Sequence, residues 1–459
     1  MKVFGSSGVR GVVNETLTPE YALQVAMAAG SVWHSEHGPT RVAVAHDTRT
    51  SGGMIADAAQ SGLASVGLDV DYLGTIPTPG AQAYADDESI PALVVTASHN
   101  PPQHNGIKLV GPDGIELAVD QLERVEQRLL GERFTRSEWS DIGQSRAIDG
   151  AREDYIAQLL EAVDREAIAA ADLTVAIDPG HGAGSLTSPE FFRRLGCHVL
   201  TINAQPDGHF PGRKPEPVAD NLGDLQRLVE TSEADLGIAH DGDADRAIFV
   251  DERGEFIEGD AALAALAAAE LDVNDGVVSA VSTSQRLVDV AGRASAEIYL
   301  TQIGSSHIVT KIKELQREGT PVPIAGEGNG GIIFPDYRAI RDGAYTAARF
   351  CELLVDRTAS EVASEYDDYY NVRVNVTYDD EAERAAMIDA IENVAHDSEA
   401  GLNTTDGYRL EFDDGWVLAR PSGTEPLIRV YAEARSRERA EELAALMEES
   451  VTAAAEAAR

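Results

Sequence analysis

Lysine is nearly missing from this chain: Lys2, Lys108, Lys214, Lys311 and Lys313 are the only five among 37 basic side chains in 459 residues. Positive charge as a whole is scarce, because 78 Asp and Glu set the formal net charge at −41. That balance argues against non-specific nucleic-acid binding, which needs a cationic surface. It argues equally against docking on anionic membranes. No run of 18 apolar residues occurs, so no transmembrane helix is expected. The opening MKVFGSSGVRG has no basic stretch followed by an apolar one. No signal peptide is therefore expected, and the expected location is the cytoplasm. Cysteine is limited to Cys197 and Cys351, too few for a disulfide framework, and both sit in apolar surroundings suited to buried thiols.

What is present is a globular composition, 43% hydrophobic. The length suggests about three domains, with two to four in range. The acids are spread along the whole chain, unlike the local acidic tail of an interaction segment. Such a distribution predicts a halophilic protein, working in concentrated salt that screens the repulsion over a few ångströms. Short apolar β-branched runs (Arg41–His46, Ala92–Thr96, Leu173–Asp178, Leu236–Ala239, Val277–Val281) alternate with helical patterns. The helical patterns cover Gly53–Val66, Gln121–Leu130, Leu222–Ser232, Gly259–Leu271 and Ser305–Arg317. This alternation predicts βαβ units with largely parallel sheets. Two strand ends look alike, VAVAHDTRTSG (42–52) and TVAIDPGHGAGS (174–185), each with an Asp before a turn, and suggest a repeated α/β domain. Glu132–Gly150 reads as a first linker, and DERG (251–254) as a hairpin turn. After about residue 370 the pattern changes to α+β, with the strands Trp416–Ala419 and Leu427–Ala432 and a closing helix.

Five stretches could carry chemistry. TASHNPPQHNGIK (96–108) puts Ser98 just past a strand's C-terminal end, where open α/β sheets bind ligands. Ser98 could be a nucleophile or phosphate carrier, with His99 and Lys108 doing proton and charge work, or the stretch could be an ordinary polar turn. AHDGDADR (239–246) sets Asp241, Asp243 and Asp245 at alternate positions of a loop, an oxygen set suited to Mg²⁺. Arg246 stands where an EF-hand needs Gly, so that reading fails, and a solvated acidic turn is the bland alternative. RPSGTEPLIRVYAE (420–433) offers Ser422, Gly423 and Thr424 between Arg420 and Arg429, a nest for a phosphate dianion or a hairpin turn with surface arginines. AGEGNGGIIFP (325–335) surrounds Glu327 and Asn329 with glycines, and could meet sugar hydroxyls or be a structural turn. FGSSGVRG (4–11) carries Arg10 in a Gly/Ser-rich turn, and alone could equally be a flexible N-terminal segment. GHGAGS (180–185) lacks the third glycine of a dinucleotide fingerprint, with Ser185 in its place.

Taken in order, these motifs resemble the α-D-phosphohexomutase superfamily: phosphoglucosamine mutases, phosphoglucomutases and phosphomannomutases. The resemblance covers nearly the whole chain. It implies a four-domain α/β architecture, three related mixed α/β domains plus a smaller α+β C-terminal one, here expected at 1–150, 151–254, 255–368 and 369–459. It implies that Ser98 is a phosphoserine and that Asp241, Asp243 and Asp245, with the Ser98 phosphate, hold one Mg²⁺. Lys108, Arg246, Arg10 and His99 would then serve the transferring phosphoryl group. Glu327 and Asn329 would hold sugar hydroxyls; Arg420, Ser422, Gly423, Thr424 and Arg429 would grip the other phosphate. The implied reaction moves a phosphoryl group between the 6- and 1-positions of a hexose phosphate, with a hexose bisphosphate as intermediate and activator. Asn329-Gly330-Gly331 replaces the SGH of many mannose/glucose-type members. The loop, with FGSSGVRG, looks more like the archaeal-type phosphoglucosamine mutases, so glucosamine phosphate is the expected substrate, with glucose or mannose phosphate as the alternative. His307, in the Ser305/Ser306/His307 run, is offset from the imidazole of some mutases and is not expected to act as a base. An Mg²⁺-dependent sugar phosphatase and a silent sugar-phosphate sensor are the other readings. The expected partner is a small molecule, and the expected state a monomer or homodimer.

Overall fold

The computed structural model describes residues 3–5, 8–38, 40–422 and 426–458. Among these, the strands form four sheets. The first contains Asp69–Thr75, Arg41–His46 and Ala92–Val95 in parallel, followed by the antiparallel pair His104–Val110 and Val9–Val12. In the second, His198–Thr201, Thr174–Asp178 and Leu236–Ala239 are parallel, followed by Ile248–Asp251 and Phe256–Ile257. The third repeats the order with Glu297–Thr301, Gly276–Ala280 and Ile324–Glu327, then Gly331–Phe334 and Arg338–Arg341. The likeness of two strand ends in the sequence is thus part of a topology repeated three times.

The parallel strands read as uninterrupted apolar runs because both faces are covered; Leu93, Val94 and Val95 are all buried. Helix Pro19–His37 begins where Thr18 accepts a hydrogen bond from the Tyr21 N–H and proline sits in the first turn. The Ala-rich helix Gly259–Glu270 is buried around most of its circumference, so its pattern carries no amphipathic stripe. One apolar core runs through the second and third units, from Tyr155 and Phe191 to Phe350 and Tyr366. Cys197 and Cys351 are free and buried.

The fourth sheet is entirely antiparallel: Tyr370–Thr377, Leu427–Ala434, Gly415–Pro421, Tyr408–Phe412 and Gly401–Asn403. Helices Glu381–Asp397 and Arg437–Ala458 pack on it through Met387, Ile391, Leu443 and Met447. This is the α+β unit expected from the late change in pattern. The architecture is therefore four units, three mixed α/β and one α+β.

One expectation needs correction. The segment 132–150 is not only a linker: Ser145–Ala147 joins the first sheet, parallel to Asp69–Thr75. All three of its residues are exposed, so the strand leaves no apolar alternation to read. The DERG turn does join the hairpin Ile248–Asp251 and Phe256–Ile257. No helix among the described residues is long and apolar enough to cross a membrane.

The repeated topology has a functional consequence. In each of the first three units, the loop between the third parallel strand and the next antiparallel strand holds a motif. Ser98 lies between Ala92–Val95 and His104–Val110, the three aspartates between Leu236–Ala239 and Ile248–Asp251, and Asn329 between Ile324–Glu327 and Gly331–Phe334. All three loops leave the C-terminal ends of parallel strands, where such sheets hold ligands.

Candidate active site

Ser98 and the three aspartates come from different units and meet in the interior. Ser98 is 1% exposed, and its hydroxyl donates to Asp241 Oδ2 at 2.6 Å. The loops touch closely: a Cβ on Gly242 would fall 2.6 Å from the Ser98 carbonyl oxygen, so only glycine fits there. Ser98 itself is left-handed, with φ of 50°, an uncommon conformation for a residue with a side chain.

Each aspartate has one oxygen engaged. Asp243 Oδ2 accepts from Thr78 Oγ1 at 2.6 Å and from Lys108 Nζ at 2.9 Å. Asp245 Oδ2 accepts from the same Lys108 Nζ at 2.9 Å and pairs with Arg341 Nη2 at 2.7 Å. The other oxygens, Oδ1 of Asp241, Asp243 and Asp245, are buried with no hydrogen-bond partner among the described residues. One ligand oxygen from each carboxylate lies within 4.8 Å of the others. Buried carboxylate oxygens without hydrogen bonds are costly alone, and three carboxylates this close together fit a hard divalent cation.

The electrostatics agree with that fit. Burial and the neighbouring Asp243 and Asp245 carboxylates push Asp241 well above the usual carboxylate range, against the pull of Arg246. Burial would also raise Asp243, but Lys108 and the Thr78 hydrogen bond outweigh it and hold Asp243 low. Burial would strip Lys108 of its proton, yet Asp243 and Asp245 keep it charged. Burial likewise opposes the charge on Arg341, and Asp245 and Glu116 overcome it.

Around this knot stand the other cations. Arg10 Nη1 donates to Asn100 Oδ1 at 2.8 Å. Burial lowers its pKa, and Arg246 and Arg341 add to the effect, so three guanidinium groups share one pocket of charge. Arg246 Nη2 donates to His99 Nδ1 at 3.1 Å. A guanidinium can only donate, so His99 Nδ1 is an acceptor and its proton sits on Nε2. Burial, with Arg246 and Arg10 nearby, pushes the His99 imidazole down to about 2, so it stays neutral.

Glu327 and Asn329 stand beside this group. Asn329 Nδ2 donates to Glu327 Oε2 at 3.4 Å, and Asn329 Oδ1 accepts from the Gly331 N–H at 3.0 Å. Glu327 bears electrostatically on Arg341 and on His307, so this loop reaches the aspartates through Arg341. In the fourth unit, Arg420 and Arg429 face each other across paired strands. Arg420 Nε pairs with Asp406 Oδ2 at 3.1 Å, and that carboxylate also accepts from the Ile303 N–H at 3.1 Å. Asp406 thus ties the arginine turn to the loop before helix Ser305–Glu318. The Ser422 N–H donates to the Leu427 carbonyl at 2.8 Å. Gly423 and Thr424 lie outside the described residues.

Several residues at the site were not singled out from the sequence: Thr78, Glu116, Arg341, Asp406 and Arg49. Glu116 accepts from Ser305 Oγ at 2.7 Å and lies 3.6 Å from Arg341 and 3.9 Å from Lys108. In the sequence Arg341 directly precedes Asp342 and Arg49 stands two residues after Asp47, and no motif marks either one.

The comparisons agree with the geometry. Residues 1–136, 153–254 and 258–369 match the phosphoglucomutase/phosphomannomutase alpha/beta/alpha domains I, II and III, and residues 373–450 match the C-terminal domain of the same family. A Thermococcus kodakarensis phosphoglucomutase/phosphomannomutase is 43% identical over 448 residues, 96% of each chain. A probable phosphoglucosamine mutase of Methanopyrus kandleri is 39% identical over 447 residues, again 96% of each. The crystal structure of a Burkholderia thailandensis phosphoglucomutase/phosphomannomutase family protein superposes with a TM-score of 0.86 at 27% identity, covering 98% of this chain and 97% of that one. The chain therefore belongs to the phosphoglucomutase/phosphomannomutase family of the α-D-phosphohexomutase superfamily, isomerase-class enzymes that move a phosphoryl group within a hexose phosphate.

Proposed function

We propose that this phosphohexomutase interconverts glucosamine 6-phosphate and glucosamine 1-phosphate through a phosphoserine at Ser98. The observation that carries the reading is the buried Ser98 hydroxyl on Asp241, within a cluster of three carboxylates that each keep one oxygen without a hydrogen bond. Phospho-Ser98 gives its phosphoryl group to the free position of the sugar: the Ser98 Oγ–P bond breaks, a sugar O–P bond forms, and the sugar's hydroxyl proton ends on Ser98. The resulting hexose bisphosphate turns over, and the original phosphate passes to Ser98 in the reverse sense. The same bisphosphate, supplied from outside, loads an unphosphorylated enzyme and so acts as activator.

Phosphoryl transfer depends mainly on placement and charge neutralisation. Asp241, Asp243 and Asp245 would hold Mg²⁺, which when bound neutralises charge on the transferring group. Lys108, Arg246 and Arg10 supply fixed positive charge on the protein side. His99, neutral and occupied by Arg246, orients that arginine and does not carry the proton. Glu327 and Asn329 receive sugar hydroxyls; Arg420, Ser422, Gly423, Thr424 and Arg429 grip the distant phosphate and fix the sugar end to end. The working units are 1–150, 151–254, 255–368 and 369–459. Burial of Ser98 keeps water from the phosphoryl group, which favours return to sugar over hydrolysis and so the mutase over a phosphatase.

Glucosamine is supported by the Asn329-Gly330-Gly331 loop and by the name of the Methanopyrus relative. The name of the Thermococcus relative supports glucose or mannose phosphate as the second reading. Assays against the three hexose phosphates, run beside intact-mass measurement, test both levels. The expected result is phosphate on wild-type Ser98, no turnover by Ser98→Ala, and highest kcat/KM for glucosamine phosphate. Full activity in Ser98→Ala would overturn the phosphoserine reading.

A further inference from the structure

The two similar strand ends each place an aspartate beside an arginine whose five N–H groups are all used. Arg49 is 2% exposed. Its Nε donates to Asp47 Oδ2 at 3.1 Å. Its Nη2 donates to the carbonyls of Ser98 and Asn100, at 2.8 and 2.7 Å. Its Nη1 donates to the carbonyls of Pro101 and His104, at 2.7 and 2.9 Å. One planar fork therefore captures four carbonyl oxygens of the Ser98 loop. The Phe210 ring, from the second unit, lies 5.2 Å from the guanidinium carbon.

Ser98 is bound on both sides of its Cα. Its carbonyl is held by Arg49, and its N–H donates to Thr96 Oγ1 at 2.9 Å. Thr96 Oγ1 in turn donates to Asp47 Oδ2 at 2.7 Å, so Asp47 anchors both holds. A left-handed residue with a side chain persists only where the surroundings over-determine it. Here the surroundings are Arg49, Thr96 and Asp47.

The second unit repeats the device. Arg213 Nε donates to Asp178 Oδ2 at 2.8 Å, and Asp178 ends a parallel strand just before its turn, as Asp47 follows one. Arg213 Nη2 donates to the carbonyls of Asp178 and His240, at 3.0 and 2.6 Å. Nη1 donates to those of Lys214 and Pro215, at 3.0 and 3.3 Å. His240 immediately precedes Asp241, so this fork holds the root of the aspartate loop.

We propose that Arg49 and Arg213 are positioning residues: Arg49 fixes the left-handed turn that presents Ser98 Oγ, and Arg213 fixes the loop that presents Asp241, Asp243 and Asp245. The proposal rests on the reading of Ser98 as the phosphorylated residue and of the aspartates as cation ligands. Lysine keeps the charge at either position but has three donors and no planar fork, so it cannot hold four carbonyls.

The test uses full-length wild type, Arg49→Lys and Arg213→Lys in molar salt. Ser98 phosphorylation by glucose 1,6-bisphosphate is followed by intact mass, the Mg²⁺ requirement by titration, and folding by thermal melt. Arg49→Lys should phosphorylate Ser98 roughly 100-fold more slowly, as misplacement by about 1 Å can cost, with an unchanged Mg²⁺ requirement. Arg213→Lys should need about tenfold more Mg²⁺, the usual effect of loosening a group that orients metal ligands. A purely structural arginine would lower the melting temperature and leave both readouts at wild-type values, and that result would overturn the proposal. If Arg49→Lys does not fold, Asp47→Asn takes its place; it keeps Arg49 but weakens its anchor, and a wild-type phosphorylation rate there would overturn the proposal equally. Absence of phosphate from wild-type Ser98 would instead overturn the phosphoserine reading, so the two failures are distinct.

Discussion

Lys108 shows how single residues work at this site. It is buried, and its one ammonium group spans Asp243 and Asp245. Removing one partner of a buried ion pair leaves uncompensated charge, which typically costs about 3–5 kcal/mol. Lys108→Met should therefore melt well below wild type in metal-free buffer and lose turnover. Added Mg²⁺ should restore part of the lost stability, because a cation on Asp243 and Asp245 replaces the missing charge. Melts with and without Mg²⁺ check this, and a wild-type melt in metal-free buffer would contradict it. Ser98, Lys108 and the aspartates were legible as residues because each sits in a compact motif. Arg341, Thr78 and Glu116 were not, because each stands outside those motifs: Arg341 and Thr78 meet the aspartates only across a domain contact, and Glu116 meets Arg341 and Ser305 the same way.

At the scale of elements, Asp342 illustrates a cap that also ties units together. Its Oδ1 accepts from the Tyr345 N–H at 3.0 Å, capping helix Gly343–Glu352, and from the Tyr155 hydroxyl at 2.8 Å, on helix Ala151–Ala162. Burial pushes this carboxyl up to about 6 against the pull of those hydrogen bonds. The folded state thus holds the proton more tightly than the unfolded chain, whose Asp titrates near about 4. Folding takes up a proton between those values, so this group's contribution to stability falls as pH rises from about 4 to about 6. Asp342→Asn stays neutral and keeps an acceptor oxygen. Its melting temperature should gain on wild type between about pH 4.5 and about pH 7.5. A constant difference across that range would refute the assignment. The strands and helices read from apolar periodicity are present, with boundaries shifted by a residue or two. Ser145–Ala147 was not, because an exposed edge strand has no apolar face.

For the whole molecule, the charge of −41 is the dominant fact. Like charges spread over the surface repel in dilute buffer, and raising salt from about 0.1 M to about 1 M shortens the screening length from about 10 Å to about 3 Å. The melting temperature should therefore rise with KCl over that range. A flat or falling trend would sink the reading of the acids as solvent adaptation. Four cations nevertheless meet where loops of the first, second and third units come together. Arg10, Lys108, Arg246 and Arg341 gather around the aspartates. An anionic sugar phosphate meets positive charge there in an otherwise repulsive protein.

The sequence by itself determined the chemistry-bearing motifs, the alternation of strand and helix, and the family, because each is written in short contiguous runs. Only the tertiary structure decided how the motifs combine. Loops from different units had to meet before Ser98, Thr78, Lys108 and Arg341 stood against the three aspartates. Arg49 and Arg213 became recognisable only when folding brought carbonyls of distant loops to their guanidinium groups. Spacing along a chain fixes which side chains share a local turn. Hydrogen bonds and charge balance between turns depend on packing, which no local run of residues encodes.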